Sequence, residues 1–380
     1  MMQAPSFTIG VEEEYLMVSR ATRNLIRRAP EGLMADLSAE LGQQVSPEFL
    51  QCQVEVGTTV CRNIEEVRNQ LQSLRQAIAN RIDPYGLELV AASTHPWARP
   101  EELEHTPKTR YDDLEEDLQQ VARRLMICGM HVHVGIESDE LRMDLLDQAA
   151  YIIPHFLALS GSSPFWEGQE TGLQSYRIAV WDEMPRTGLP ESFESYAEYT
   201  RHVDVLTGAG IIEDASKIWW DLRPSARFPT LELRITDVCT SLEDAVCLAA
   251  LFRCWLRMLY RLRSQNQRWR RYARMLIAEN RWRAQRYGCA AELLDFGRGV
   301  LVPYAELLEE ILELVAEDAA FFECEDEVAH ARVILSRGTS AQRQLDIFHR
   351  ERGAGASQEE SLAAVVDWLV GETRRAPNIE

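Results

Sequence analysis

Four segments of the chain alternate apolar and polar residues in the period-two manner of half-buried strands, and each brings ionisable groups to its polar face. They cover residues 8–18, 51–57, 129–136 and 230–238. A sheet built from them would rest one face on a hydrophobic core and line the other with carboxylates and imidazoles. Burying that second face is costly unless cations and anions fill it, so the pattern favours a sheet that borders a charged cleft.

In the first segment, Gly10-Val-Glu-Glu-Glu-Tyr15, Glu12 and Glu14 share one face while Val11, Glu13 and Tyr15 take the other. Two carboxylates side by side repel unless a cation sits between them, which suggests a hard-metal site; the alternative is a solvated edge strand. The second segment places Gln51, Gln53 and Glu55 on a polar face, and the turn that follows, Gly57-Thr58-Thr59, offers hydroxyls and N–H groups to a substrate carboxylate or phosphate. In the third, His131 and His133 share a face: one imidazole of such a pair can ligate a metal, and the other can orient it or bind substrate. Satisfied structural histidines are the alternative. Cys128-x-x-His131-x-His133 does not suit zinc, because zinc sites seldom draw three ligands from so short a strand. The fourth sets Glu232 and Arg234 together, as a site pair or a surface ion pair. Oxygen-rich ligands with one histidine suit Mg²⁺ or Mn²⁺ and point to phosphoryl transfer, with Arg steadying the moving group. No P-loop or GxGxxG is present, so a nucleotide must be held another way.

Between these strands the spacing predicts amphipathic helices. Ile64, Val67, Leu71, Leu74 and Ile78 follow an Asn63-x-x-Glu66 start; Leu114, Leu118, Val121 and Leu125 mark a second helix; Ser241-x-x-Asp244 opens a third through Trp255 and Leu259 into an Arg- and Trp-rich stretch at 268–286. The C-terminal third reads mostly helical, with a Ser357-x-x-Glu360 start. Pro, Gly and Ser gather at 160–190 and 222–230, where long loops are expected. The expectation is one α+β domain with a mainly antiparallel sheet.

Sixty acidic against forty basic residues give a formal charge of -20, which disfavours nucleic acid and anionic membrane as partners. Eight scattered cysteines without a CxxC pair fit reduced thiols, and no apolar run approaches the roughly 20 residues of a spanning helix, so a cytoplasmic location is expected.

The motifs GVEEEY, EVGT, STHP at 93–96, CGMHVHVGI at 128–136, SPFWEG at 163–168, TGLQSYR at 171–177, WWDLRPS at 219–225, PTLELRITD at 229–237 and AENRWRAQRYG at 279–288 resemble the bacterial carboxylate-amine ligases. These are also called type 2 glutamate-cysteine ligases, of the glutamine synthetase-like superfamily, and the resemblance runs in order from about residue 7 to 290. It implies a curled antiparallel sheet with helices on its convex side and a concave face that binds two or three Mg²⁺ ions, ATP, a small-molecule carboxylate and an amine. It implies Glu12, Glu14, Glu55, His133 and Glu232 as metal ligands, and Arg234, with Glu55 and Arg177, as catalytic residues. Tyr176, Asp221 and Arg223 fall on loops that close the site and Trp219, with Trp220, could stack on adenine or be a buried core tryptophan; Tyr176, Asp221, Arg223 and Trp219 are the expected nucleotide contacts. Thr58, Thr94, His95, His131 and Gln169 are the expected substrate contacts. A homodimer is the expectation by family analogy.

Three positions, in two motifs, depart from the pattern. Gln169 and Glu170 replace an Arg-Asp pair, and Ser93 replaces a glycine. The missing positive charge predicts that glutamate plus cysteine is a poor substrate pair. The chemistry expected is attack of a carboxylate on the γ-phosphate of ATP, then displacement of phosphate by an amine. A metal-dependent hydrolase would turn over without ATP, and a non-catalytic nucleotide-binding homologue would not turn over at all.

Overall fold

A computed structural model describes residues 4–108, 116 and 118–375. Its centre is a seven-stranded sheet: β1 (Ile9–Ser19), β2 (Val45–Pro47), β3 (Gln53–Gly57), β4 (Leu87–Val90), β5 (Met130–Gly135), β6 (Leu222–Pro224) and β7 (Thr230–Leu233), in the order β6-β7-β5-β1-β3-β2 with β4 pairing the second half of β1. Every pairing in it is antiparallel. This is the α+β class expected from the sequence.

The apolar faces pack as the alternation requires. Val11, Tyr15, Val54, Val56, Val132 and Val134 are buried beneath two helices, α1 (Ile64–Ile82) and α3 (Leu242–Ser264), which contact β1. Between them in sequence lies α2 (Tyr176–Trp181). Helix α1 starts where Asn63 accepts a hydrogen bond from the Glu66 N–H, the cap foreseen in the sequence, and it buries Ile64, Val67, Leu71, Leu74 and Ile78. The buried face also holds an ion pair: Glu13 accepts from both Arg75 Nε and Nη2 on α1, and the Tyr15 hydroxyl donates to the same carboxylate.

The C-terminal third is helical from Tyr304 to Thr373 in four segments, with the Ser357–Glu360 capping box in place, and it is preceded by a hairpin of Glu292–Asp295 with Val300–Pro303. Of the second helix expected from the sequence, Glu116, Leu118 and Gln120–Arg123 are α-helical among the described residues, and Leu114 lies outside them. The stretch 160–190 is more ordered than a loop. It carries α2 and the hairpin Phe165–Trp166 with Gln169–Glu170, whose two-residue turn has left-handed φ at both Glu167 and Gly168. Buried Asp237 ties this stretch to the sheet by accepting from Ser162 N, Ser163 Oγ and Ser175 Oγ. Among the described residues no helix is long and apolar enough to cross a membrane.

Behind the sheet, His155 is buried, its Nδ1 has no hydrogen-bond partner, and burial pushes its pKa down to about 3. The unfolded chain binds a proton there below the ordinary histidine value while the folded chain does not, so stability is lost as pH falls through that window. His155→Phe is expected to flatten the decline of the urea midpoint between about pH 6.5 and about pH 4. Parallel pH profiles for the two proteins would remove His155 from the acid response.

Candidate active site

Strand register assembles the open face. Glu12 stands opposite His131 and Glu14 opposite Glu55. On the far side of β5, Glu232 lies opposite His133, and Arg223 lies opposite Glu232. The result is two compact groups in which the potential ligand atoms lie within 4.8 Å of one another: Glu12, His131 and Glu232, and Glu14, Glu48 and Glu55. His131 Nδ1 is 3.2 Å from Glu12, while His133 Nδ1 is 3.0 Å from the Thr230 hydroxyl. His131, named from sequence as a substrate contact, thus stands in the first group, and His133, named as a ligand, stands at its edge with Nε2 3.6 Å from Glu12. Glu48 was not found from sequence. It follows β2, outside any alternating run, and nothing in its surroundings marks it.

The electrostatics divide the same way. Burial acts to raise the Glu12 carboxyl, but hydrogen bonds and charge from His131 and His133 outweigh it and hold the group well below the usual range. Glu232 is likewise held low against burial by Arg234, His133 and Arg223. In the second group the offsets are too small: burial and the Glu55 charge push Glu14 up to about 7 despite Arg177, the Gly129 N–H and Arg234, and Glu48 is pushed well above its ordinary value by burial, Glu55 and Glu14. Burial and the Arg234 charge lower His131 to about 4, which leaves it neutral and able to ligate. The Nε2 atoms of His131 and His133 are buried without hydrogen-bond partners. Such donor sets, oxygen-rich, anionic and with unspent imidazole nitrogen, fit a hard divalent cation.

These groups line a cleft of about 430 Å³ together with Arg177, Arg223, Arg234, Trp181, Trp219 and Lys217. Arg234 lies just past β7, where the backbone N–H groups of Arg234 and Ile235 both donate to the Asp221 carbonyl. Its Nη1 reaches Glu232 and its Nε is buried without a partner. Arg177 donates to the carbonyls of Arg234 and Ile235 and passes directly over Gly129, where a Cβ would meet its guanidinium at 2.5 Å. Only glycine allows that approach.

Other residues named from sequence make contacts within the protein and do not line the cleft. Asp221 pairs with Arg281, which also grips Asp182. Thr94 donates to the Phe165 carbonyl; His95 accepts from the N–H groups of Trp97 and Ala98, with Nε2 2.8 Å from the Arg23 carbonyl. The Thr58 hydroxyl accepts from Val11 N, and Tyr176 packs on Trp166. Gln169 and Glu170 are exposed on their hairpin, Glu170 pairing with His349, and neither lines the cleft. The charge change there therefore gives no ground for excluding glutamate plus cysteine.

A sheet whose polar face carries two clusters of acidic groups beside buried Arg177 and Arg234 and half-buried Arg223 has the charge layout of an acid-activating, ATP-using ligase of the carboxylate-amine class. The sequence pattern of glutamate-cysteine ligase family 2 (GCS2) matches residues 8–367, and the chain belongs to that family. A relative from Rhodospirillum rubrum, provisionally named glutamate–cysteine ligase 2, is 60% identical over 98% of this chain and 97% of its own. One from Jannaschia sp. with the same provisional name is 52% identical over 96% of each. Among solved structures the fold is similar to the glutamate–cysteine ligase of Francisella tularensis in complex with AMP, at TM-score 0.71 and 12% identity over 97% of this chain and 89% of that one. It is also similar to a bifunctional glutathione synthetase from Pasteurella multocida, at TM-score 0.69 and 15% identity over 97% of this chain and 53% of that one.

Proposed function

We propose that the enzyme activates an amino-acid carboxylate as an acyl phosphate and joins it to the amine of a second amino acid. The observation that carries this reading is the convergence of Glu12–His131–Glu232, Glu14–Glu48–Glu55 and the guanidinium groups of Arg177, Arg223 and Arg234 on one cleft. A carboxylate oxygen attacks the γ-phosphorus of ATP, the bond to the β–γ bridging oxygen breaks, and ADP leaves. The amine, once deprotonated, attacks the acyl carbon, and phosphate departs. In this reading Arg234, whose Nε is unpartnered at the cleft, spreads charge as the phosphoryl group moves. The two acidic groups would hold Mg²⁺ or Mn²⁺, which supplies the positive charge that lets two anionic reactants approach.

Glutamate and cysteine are the first pair to test, since the full-length relatives carry that name. ADP release is measured against amino acids singly and in pairs, with products read by mass. Release that requires both partners and yields an amide supports the reading. ATP hydrolysis without an acceptor, or turnover without ATP, overturns it.

Metal dependence follows directly. ATP binding measured by calorimetry should require Mg²⁺ or Mn²⁺, because the unneutralised carboxylates repel the triphosphate. Equal affinity in excess EDTA would refute the assignment of the two acidic groups.

A further inference from the structure

The chain has forty basic residues but only two lysines, Lys108 and Lys217, and both line the cleft. Six of the forty basic residues line it, so a random placement of the lysines would seldom put both there. Elsewhere among the described residues the surface ion pairs use arginine or histidine, and a compact ammonium on a flexible stem meets an anion differently from a planar fork.

The two stand in different surroundings. Lys108 follows Thr106, whose N–H donates to the Phe49 carbonyl and whose hydroxyl donates to the Glu48 carbonyl, at the acidic end of the cleft. Lys217 stands at the other end, with Arg223, Arg227, Trp219 and the exposed ring of Phe228. A basic and aromatic wall suits a nucleotide, whereas an acidic one suits an amine.

The backbone at Lys217 is held with unusual firmness for a surface turn. Asp214 caps it by accepting from Ser216 N, Arg223 Nη1 donates to the carbonyls of Ser216 and Ile218 at 3.1 and 2.7 Å, and Arg186 Nε donates to the Lys217 carbonyl at 3.0 Å. Arg223 in turn binds both oxygens of Glu232, so the turn is keyed to the first acidic group. The side chain is packed along its stem, 13% exposed, and only its ion pair is exposed to water. Its ammonium is 3.3 Å from Glu213, a carboxylate 69% exposed that water can replace at little cost.

We infer that Lys217 is a nucleotide-contacting residue, whose ammonium exchanges Glu213 for the polyphosphate of ATP when the nucleotide enters from the Arg223–Phe228 side. This rests on the ATP-ligase reading above. It predicts that Lys217→Gln raises the KM for ATP about 10-fold or more, the scale of a hydrogen bond to a charged group, with a smaller change in kcat. Lys217→Arg should restore only part of it, since the wider guanidinium does not fit the same point contact. Glu213→Gln should leave KM unchanged, which a purely structural Lys217–Glu213 pair would not predict.

A direct test uses an ATP acyl phosphate, in which a carboxylic acid is esterified to the γ-phosphate. The lysine amine attacks the acyl carbon, an amide forms at Nζ, and ATP leaves. With two lysines in the chain, peptide mass identifies the site. Acylation of Lys217 in the presence of Mg²⁺, blocked by excess ATP, together with the KM shift, is the result expected. Labelling of Lys108 alone, or an unchanged KM in Lys217→Gln while the wild-type enzyme still forms amide, overturns the Lys217 assignment and leaves the ligase reading standing. Absence of both labelling and ATP-dependent amide formation removes the ligase reading, and this assignment with it.

Discussion

Arg234→Lys is expected to lower kcat about 10²-fold or more while changing ATP affinity far less, although charge is conserved. Arg234 is 8% exposed, with Nη1 committed to Glu232 and Nε left without a partner. An unspent donor on a buried, preorganised guanidinium can be used by a group that arrives later. A lysine in its place would offer one charge and no fork, and it would have to choose between Glu232 and the phosphoryl oxygens. An interaction that strengthens as the phosphoryl group moves appears in kcat, whereas nucleotide affinity rests on contacts already made in the ground state. Measuring kcat and the ATP Kd of this variant decides the matter. Small and similar changes in both would reduce Arg234 to a partner of Glu232.

Glu13→Gln is expected to cost about 3–5 kcal/mol of stability, because it strands a buried guanidinium. Arg75 is 5% exposed and its remaining donors go to the carbonyls of Cys239 and Thr240, so the pair fastens α1 to both β1 and the segment leading into α3. Replacing both residues by apolar ones, Glu13→Leu with Arg75→Met, should recover part of the loss, since no charge is then left unpaired. Urea unfolding of the three proteins measures this. A single-variant cost under about 1 kcal/mol would mean that water reaches the Arg75 head group. The site lies on the opposite face of β1, so kcat per folded molecule should be retained.

The strand faces were legible because a period of two assigns each side chain to one face, and Glu12, Glu14, Glu55, Glu232 and both histidines do share the open one. What alternation cannot give is register between strands. Glu12 opposes His131 and not His133 because of where β5 pairs with β1, and that is fixed by packing spread over the whole sheet. Glu48 was hidden for the opposite reason: it lies outside a strand, between Pro47 and Phe49, and reaches the site by the path of the chain alone. For Asp221, Thr94 and His95 the partners within the protein were not readable, since a buried ion pair and a ligand contact draw on the same residue types. Glu13, a charge on the apolar face, was the signal for a buried partner, and its spacing from Arg75 concealed which one. The strands at 45–47 and 87–90 escaped notice because they are short, and Leu87–Val90 is buried on both faces.

The order of the sheet also has a consequence for synthesis of the chain. β1 is complete early, yet its neighbour β5 begins at Met130 and the arginine that balances Glu12, Glu14 and Glu232 comes only at position 234. At 5–20 residues per second, a ribosome would hold the acidic strand without its guanidinium neighbour for roughly 10–40 s, the imidazoles of β5 arriving in about half that time. During that interval the mutual repulsion of Glu12 and Glu14 keeps β1 hydrated and disfavours premature edge-to-edge pairing with other nascent chains, much as charged residues on an exposed edge do in finished proteins. The same carboxylates that border the cleft in the folded enzyme would then act as its guard against aggregation while it is being made.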